Sequence, residues 1–348
     1  MSGFNLDNMV RESIKGLQPY SSARDEYISD GMEMIFLDAN ENPFENGVNR
    51  YPDPQQRNLK TVLAEQKGVN VNNILLGNGS DEVLDLIFRA FCEPRIDNII
   101  SMPPTYGMYK VLSGINAIEN REVLLTKDFQ LDTKAILSTI DVDSKVIFIC
   151  SPNNPTGNSF AESDILQLLK RFNGLVVIDE AYIDFSDKAS WLGKLNRFPN
   201  LIVTQTLSKA YGMAGIRLGV CFASASIISV LNTIKPPYNV NGPTQRHALE
   251  QVRKTEVLQR EVAQILAEKE RLLKVLDAVG YITRIYPSDA NFILVEVDDA
   301  DEKYKRLLKK GVVVRNRTTQ PLCKNTLRFT IGTKIENEKL ITALKEIA

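Results

Sequence analysis

Leu175-Val176-Val177-Ile178-Asp179 is an apolar run rich in β-branched residues that closes on a carboxylate. A strand with one wetted face alternates apolar and polar side chains. A run that is apolar on both faces therefore predicts a strand buried between two layers. The signature recurs along the chain. Asn73-Ile74-Leu75-Leu76, Asn98-Ile99-Ile100-Ser101-Met102 and Val146-Ile147-Phe148-Ile149-Cys150 precede it, while Leu201-Ile202-Val203-Thr204 and Leu218-Gly219-Val220-Cys221-Phe222 follow. Helical stretches separate the runs, and that alternation predicts an α/β fold, a large domain with a mostly parallel central sheet between helices. Polar residues cluster just beyond several runs, at the carboxyl ends where open α/β sheets take up ligands.

Beyond Lys235-Pro236-Pro237-Tyr238-Asn239-Val240-Asn241-Gly242-Pro243, a helix-breaking hinge, the pattern changes. A long charged helix is expected over about 245–279, then a strand near Asn291-Phe292-Ile293-Leu294-Val295 and a helix over about 301–310. Further strands are expected near Val312-Val313-Val314 and Leu327-Arg328-Phe329. This reads as a smaller C-terminal α+β domain. The expected division is an N-terminal arm over 1–30 with one helix packed on the small domain, a large cofactor-binding domain over 31–242, and the small domain over 243–348. At 348 residues the chain is long for a single core, which agrees with two domains.

Composition narrows the function. A hydrophobic fraction of 43%, a charged fraction of 24% and a net charge of −1 argue against a nucleic-acid partner, which favours a basic excess. Met1-Ser2-Gly3-Phe4-Asn5-Leu6-Asp7 lacks a basic segment followed by an apolar stretch, and no apolar run is long enough to cross a bilayer. No membrane partner and a cytoplasmic location are expected. The four cysteines are scattered with no C-x-x-C pair, so they read as buried thiols in a reducing compartment. His247 is the only histidine, which argues against Ser-His-Asp hydrolysis and His-based metal catalysis, and no metal site is expected. His247 itself reads as a helix-surface residue.

The chemistry concentrates in Thr206-Leu207-Ser208-Lys209-Ala210-Tyr211-Gly212-Met213-Ala214-Gly215-Ile216-Arg217. A lysine held between a strand end and a glycine-rich turn can be desolvated enough to lower its pKa, as imine formation requires. Ser208 and Arg217 are a hydroxyl donor and a permanent cation, suited to a phosphate. An aldehyde-reactive lysine beside phosphate ligands points to pyridoxal phosphate. A lone Ser-Lys dipeptide would be an ordinary surface pair; the remaining motifs decide otherwise.

Asp179 ends a buried strand and needs a partner for its charge, which a protonated pyridine nitrogen supplies. Tyr182 lies three residues on and can donate to a ring oxygen; an ordinary strand-end turn is the alternative. Ser151-Pro152-Asn153-Asn154-Pro155-Thr156-Gly157-Asn158 makes a tight turn that projects an Asn amide above the sheet. Gly77-Asn78-Gly79-Ser80-Asp81-Glu82 connects a strand to a helix whose free N–H groups suit a phosphate. Glu82 stands where a dinucleotide fingerprint has its third glycine, so nicotinamide binding is disfavoured, and Asp81 can equally cap the helix. Tyr106, in Pro103-Pro104-Thr105-Tyr106-Gly107-Met108-Tyr109, either stacks on a flat cofactor or packs as an ordinary aromatic. Tyr51, in Arg50-Tyr51-Pro52-Asp53-Pro54, reads only as an exposed turn.

Asn154, Asp179, Tyr182, Lys209 and Arg217, in this order, resemble the fold-type I pyridoxal-phosphate aminotransferases. The histidinol-phosphate aminotransferase branch is similar in finer detail. The matching stretches are Leu37-Asp38-Ala39-Asn40-Glu41-Asn42-Pro43, Tyr51-Pro52-Asp53, Gly77 to Glu82, Val314-Arg315-Asn316-Arg317 and Leu327-Arg328-Phe329-Thr330-Ile331-Gly332. The similarity spans about 15–345. One departure stands beside the lysine, where Tyr211-Gly212-Met213 replaces the leucine or related residue that the family often carries.

The resemblance implies roles. Lys209 would hold pyridoxal 5'-phosphate as an aldimine and then move the substrate proton. Asp179 would hold the ring nitrogen, Asn154 and Tyr182 the ring oxygen, and Tyr106 would stack on the ring. Gly79, Ser80, Asp81, Ser208 and Arg217 would surround the phosphate, with Thr206 assisting. Tyr51 would reach the phosphate of a neighbouring subunit, which implies a homodimer. Arg315 and Arg328 would bind substrate anions, with Tyr20 and Asn40 as further contacts. The implied reaction exchanges an amino group between L-histidinol phosphate and 2-oxoglutarate in histidine biosynthesis. An aromatic amino-acid aminotransferase and a phosphothreonine-type decarboxylase of the same fold are the alternatives.

Overall fold

The computed structural model describes residues 3–18 and 34–347. Its larger sheet has seven strands: β1 (Ile74–Asn78), β2 (Asn98–Ser101), β3 (Glu119–Glu122), β4 (Ser144–Cys150), β5 (Leu175–Asp179), β6 (Leu201–Thr206) and β7 (Leu218–Ala223). They lie in the order β1-β7-β6-β5-β4-β2-β3. The neighbours from β6 through β5, β4 and β2 to β3 pair in parallel, and β7 runs antiparallel to both β1 and β6. The expected mostly parallel sheet is present.

Period-two alternation divides the strand residues between two apolar cores. Leu75, Ile99, Phe148, Leu175, Val177 and Ile202 enter one core, covered by the helices Ser80–Phe91, Met108–Ile115 and Ala225–Ile234. Ile74, Ile100, Ile147, Val176, Ile178 and Val203 enter the other, covered by Arg57–Lys67, Glu162–Arg171 and Gly242–Val252. Both faces are dry, which is why these strands read as continuous apolar runs. The edge strand β3, Glu119-Asn120-Arg121-Glu122, carries no such run. Charged residues suit a sheet edge and hide it from hydropathy.

Four antiparallel strands form the second sheet: β8 (Ile282–Ile285), β9 (Phe292–Val297), β10 (Arg315–Asn316) and β11 (Thr326–Thr330), in the order β10-β11-β9-β8. Ile293, Val295, Leu327 and Phe329 point into a third core with residues of the helices Thr255–Leu276, Ala300–Lys309 and Lys334–Glu346. The opposite face of β9 looks toward the larger sheet. There Phe292 meets the Tyr182 ring edge-on at 5.1 Å. The loop before β9 is tied to the loop after β4: Asp289 N–H donates to Gly157 O at 2.8 Å, and Ser159 N–H donates to Asp289 Oδ2 at 3.0 Å.

Three expectations need correction. The single charged helix over 245–279 is two helices, Gly242–Val252 and Thr255–Leu276. Asn241 caps the first by accepting from Thr244 N–H, and Ala248 and Val252 bury it against the larger sheet's core. The strand expected at Val312-Val313-Val314 is displaced: pairing starts at Arg315, because Val313 is exposed and only Val314 of the three is buried. The described part of the arm, residues 3–18, packs on the large sheet's side and not on the small sheet. Met9, with Phe4, Leu6 and Val10 around it, joins the core against Ser80–Phe91, and the Arg11 guanidinium bonds Glu93 and Arg89 O. Among the described residues no helix is long and apolar enough to cross a membrane.

Gly219, in β7, shows how closely sheet and helix start approach. A Cβ there would lie 2.3 Å from Ser80 N and 2.5 Å from the Gly79 carbonyl carbon. Gly219→Ala must push the start of the helix Ser80–Phe91 off the sheet, at a cost of about 1–3 kcal/mol. Chemical denaturation should register that loss; a variant as stable as the parent chain would contradict this packing.

Candidate active site

β6 and β7 are neighbours joined by residues 207–217, so the chain doubles back over the carboxyl end of the sheet. Three backbone bonds close the loop: Leu207 N–H to Leu218 O at 3.1 Å, Met213 N–H to Leu207 O and Gly212 N–H to Lys209 O, both at 3.0 Å. Gly212 at φ 65° and Arg217 at φ 55° occupy the left-handed region that this turn requires. Lys209 thereby stands over a cavity of about 170 Å³ lined with Ser80, Asp81, Tyr106, Asn154, Asp179, Tyr182, Thr206, Ser208, Arg217 and Arg328.

Asp179 forms part of its floor and is buried. Alternation along β5 turns Asp179 to the side of Val177, while the next residue, Glu180, turns to the other side. There Glu180 accepts from Ser190 Oγ at 2.6 Å, Trp191 N–H at 2.7 Å and Gln205 Nε2 at 2.8 Å. Two adjacent carboxylates are thus separated into a cavity group and a structural one. Burial pushes the Asp179 carboxyl up to about 6, opposed by donation from Tyr109 Oη to Oδ2 and from Ala181 N–H to Oδ1, both at 3.1 Å.

The loop after β4 is knotted by Asn153, which is buried. Its Nδ2 donates to Pro104 O at 2.9 Å and Thr156 Oγ1 at 2.7 Å, and its Oδ1 accepts from Thr105 Oγ1 at 2.9 Å. That knot holds out Asn154, whose Nδ2 donates to Tyr182 Oη at 3.4 Å and whose Oδ1 accepts from Arg328 Nη1. Arg328 arrives from β11, where Leu327 and Phe329 fill the small core and leave the residue between them facing the larger sheet. Burial pushes its guanidinium down to about 10, and its buried Nε has no hydrogen-bond partner.

Burial also lowers the Lys209 ammonium below its ordinary value, helped by Arg328 and Arg217 and opposed by Asp179 and Asp81. Its Nζ stands 5.6 Å from the Tyr182 ring centre. Burial raises the Tyr182 phenol, which keeps its proton. Tyr106 donates from Oη to Asp81 Oδ1 at 2.8 Å, and Arg217 Nη2 lies 3.9 Å from Asp81 Oδ2.

A phosphate cradle stands at one end. The helix Ser80–Phe91 starts at Gly79 (φ 80°) with no side-chain cap, which leaves its first N–H groups available to an anion. A Cβ on Gly79 would lie 2.7 Å from Arg217 Nη2. Glu82, in the place of a third glycine, folds back: its Oε2 accepts from Asn78 N–H at 2.5 Å and Asn239 Nδ2 at 2.7 Å, which shapes the turn. An uncapped helix start, two serines and an arginine at one end, with a buried carboxylate lining the same cavity, fit a phosphorylated pyridine.

Not every expected site residue meets there. Asn40 and Tyr51 line a separate open cleft of about 620 Å³ with residues 45–50 and 238–246, where Tyr51 stacks on Tyr238 at 4.5 Å. Though larger, that cleft contains neither Lys209 nor Asp179. Arg315 pairs in register with Arg328, yet lines a different cavity on the small sheet. Tyr20 lies outside the described residues. Sequence reasoning assigns no role to Asn153, Tyr109, the cavity-lining Cys150 or Arg317. The Arg317 charge acts on Tyr182 and Arg328, and its buried Nε is unpartnered. The available signal for it was an arginine two positions after Arg315, the spacing that shares a face in extended chain.

A lysine desolvated above a buried strand-end carboxylate and beside an uncapped helix start defines a pyridoxal-phosphate site on a fold-type I scaffold. Residues 36–344 match the family described as aminotransferase class I and II, and the chain belongs to it. Members of that family are pyridoxal-phosphate-dependent transaminases. The chain is 61% identical, over 99% of each sequence, to the histidinol-phosphate aminotransferase of Flavobacterium johnsoniae. The solved histidinol-phosphate aminotransferase of Clostridium acetobutylicum is similar at a TM-score of 0.80 and 25% identity, over 86% of this chain and 91% of that one. That of Sinorhizobium meliloti, solved with pyridoxal-5'-phosphate, shares the fold at a TM-score of 0.78 and 22% identity, over 86% and 82% of the two chains.

Asp179 supplies a test that needs no turnover. Its carboxyl binds a proton more tightly in the folded protein, at about 6, than in the unfolded chain, at 3.8. Folded molecules therefore hold the extra proton between those values, and stability falls as the pH rises through them. The cofactor-free protein should lose about 3 kcal/mol of unfolding free energy across that window, relative to Asp179→Asn. Urea melts of both proteins at several pH values measure this, and parallel curves would refute the burial.

Proposed function

We propose that the chain is a histidinol-phosphate aminotransferase. It exchanges an amino group between L-histidinol phosphate and 2-oxoglutarate with pyridoxal 5'-phosphate as cofactor. The observation that carries this reading is the convergence of Lys209, Asp179, Tyr182 and Arg328 on one cavity. The identity to histidinol-phosphate aminotransferases along almost the whole chain supports the substrate.

When bound, pyridoxal phosphate supplies an aldehyde that takes up amino nitrogen and a ring that draws electrons from the substrate Cα. The chain's residues do the rest. Lys209, whose ammonium is destabilised by burial and by two arginines, gives up its proton at Nζ more readily than an ordinary lysine and can take it back. Asp179 would accept a hydrogen bond from a protonated ring nitrogen, and burial strengthens that contact. Asn154 donates to Tyr182 Oη, which leaves the tyrosine's own proton free to be given to a ring oxygen. Ser80, Ser208, Arg217 and the start of the helix Ser80–Phe91 would hold the cofactor phosphate, with Gly79 allowing the approach. Thr206 plays a framing part, since its hydroxyl donates to Leu218 O at 3.3 Å and accepts from Ser208 N–H at 3.1 Å. Tyr106 would pack against the ring.

Arg328 meets the substrate anion. Its unpartnered Nε and planar guanidinium suit the phosphate of histidinol phosphate and a carboxylate of glutamate equally, so one group can serve both half-reactions. Arg315, with Asn40 and Tyr20, would complete anion recognition. Residues 31–242, extended by the helix Gly242–Val252, would form the cofactor-holding domain, and the remainder a smaller domain that delivers the arginines.

A homodimer completes the reading. Tyr51 is 51% exposed and lies outside its own chain's cavity, in a segment that also exposes Ile35, Leu37, Phe44 and Val48. Such a segment suits burial against a second copy, where Tyr51 would reach the partner's cofactor phosphate.

The first test is optical. L-Histidinol phosphate alone should remove the visible absorption of the cofactor-loaded protein, and 2-oxoglutarate should restore it. Lys209→Ala should slow that change by roughly 10²–10⁴-fold or more. A band unmoved by histidinol phosphate would remove the substrate assignment and leave the cofactor. The shared site is tested by mixing: inactive Lys209→Ala and Tyr51→Ala proteins, unfolded and refolded together, should regain activity that neither recovers alone. No recovery from dimers shown to be mixed would refute the crossing of Tyr51.

A further inference from the structure

We propose that Tyr109 is the positioning residue of the cofactor site: its hydroxyl, below the cavity, holds the Asp179 carboxylate in place as the acceptor for a protonated ring nitrogen. This rests on the pyridoxal-phosphate reading of the site.

Tyr109 lies in the first turn of the helix Met108–Ile115, on the side of the large sheet to which alternation turns Asp179. Its ring is fixed on two sides. It stacks on Phe148 at 5.0 Å and an interplanar angle of 20°, and it meets Tyr106 edge-on at 5.7 Å. With the ring plane set, the hydroxyl donates to Asp179 Oδ2 at 3.1 Å. Ala181 N–H engages Oδ1 at 3.1 Å, so the carboxylate is held at both oxygens.

The surroundings give this bond its weight. Cys150, opposite Asp179 on β4, is a buried neutral thiol whose Sγ donates to Pro152 O at 3.4 Å. Tyr106 and Asp81 face Asp179 from one side, and Asp81 opposes its charge. Lys209, Tyr182 and Arg328 line the cavity with it. The Tyr109 hydroxyl is the largest influence favouring the charged carboxylate, ahead of the Ala181 N–H. The phenol itself, buried and facing that carboxylate, is pushed far above the ordinary tyrosine range, so it remains a donor at every working pH. A donor that cannot ionise, fixed by stacking, leaves Asp179 two choices: remain charged in one orientation, or take a proton.

The test uses cofactor-free protein and pyridoxamine 5'-phosphate, which has the ring and phosphate but no aldehyde, so bonding to Lys209 is not involved. Its dissociation constant is measured by calorimetry between pH 5 and 8. In the parent protein, binding should weaken as Asp179 takes up its proton. Tyr109→Phe keeps both ring contacts and removes one hydrogen bond to a charged acceptor. The midpoint should move up by about one pH unit, with roughly tenfold weaker binding below it. In an Asp179→Asn background the same substitution should have no effect. An unmoved midpoint in Tyr109→Phe overturns the proposal. A parent protein that binds no pyridoxamine phosphate at any pH overturns the cofactor reading, and the proposal with it. Should Tyr109→Phe not fold, infrared spectra of the parent protein with isotope-labelled tyrosine decide. A tyrosine C–O band must shift at the pH where the Asp179 carboxyl band, identified by its absence in Asp179→Asn, titrates. A stationary band overturns the proposal.

Discussion

Burying the Asp179 carboxylate at the end of β5 is the constraint around which the site is arranged. Taking an ionised carboxylate out of water is costly unless donors surround it. Here the backbone of Ala181 and the hydroxyl of Tyr109 supply two hydrogen bonds, and the cavity side remains for a ligand. The cofactor-free protein accommodates the remainder by a raised carboxyl pKa. A protonated pyridine answers that unmet demand, because the ring nitrogen and the carboxylate each stabilise the charged form of the other. Partial burial, with Arg328 and Arg217, lowers the Lys209 ammonium, so one cavity prepares both the group that anchors the ring and the group that moves the proton.

The large sheet makes that burial possible. Its central strands are covered on both faces and open to polar groups at their carboxyl ends, where Cys150 on β4 stands beside Asp179 on β5 and β6 runs two residues past the partner of Asp179, Thr204, to Thr206. The antiparallel β7 brings the chain straight back from Lys209 and lays Gly219 under the start of the helix Ser80–Phe91. Cofactor ring and phosphate are thus served by one continuous surface. The small sheet adds the substrate end. Arg328 is turned outward by the burial of its neighbours Leu327 and Phe329, and Asn154 receives it in the cavity. Asn154 therefore links the two sheets as well as contacting Tyr182.

Sequence reading succeeded where a physical signal was local. Two-sided apolar runs marked the buried strands, and carboxyl-end polar residues marked the sites that the structure brings together around Lys209. It failed where the signal was absent or shared. β3 is a polar edge strand, and the Val312-Val313-Val314 triplet is β-branched yet largely unpaired. The break at Arg253-Lys254 contains no proline or glycine, so nothing in its composition marks an end to the helix. The arm's packing partner depends on long-range contacts of Met9 that no local pattern encodes. Asn153 looked interchangeable with Asn154, although one is a buried knot and the other faces the cavity.

Local chemistry was determined by the sequence alone: which strands are dry on both faces, which lysine neighbours a phosphate-ready turn, and the near absence of imidazole. Those properties depend on residue type and on spacings of a few positions. Only the tertiary structure decided the pairings that give the groups their chemistry. Tyr109 meets Asp179 from 70 positions away, and Arg328 meets Asn154 from 174 away. Whether a carboxylate is ionised, and whether a lysine is basic, is set by the number of donors and the amount of water within a few ångströms. That environment is assembled from distant segments, so it exists only once the two sheets have closed on each other.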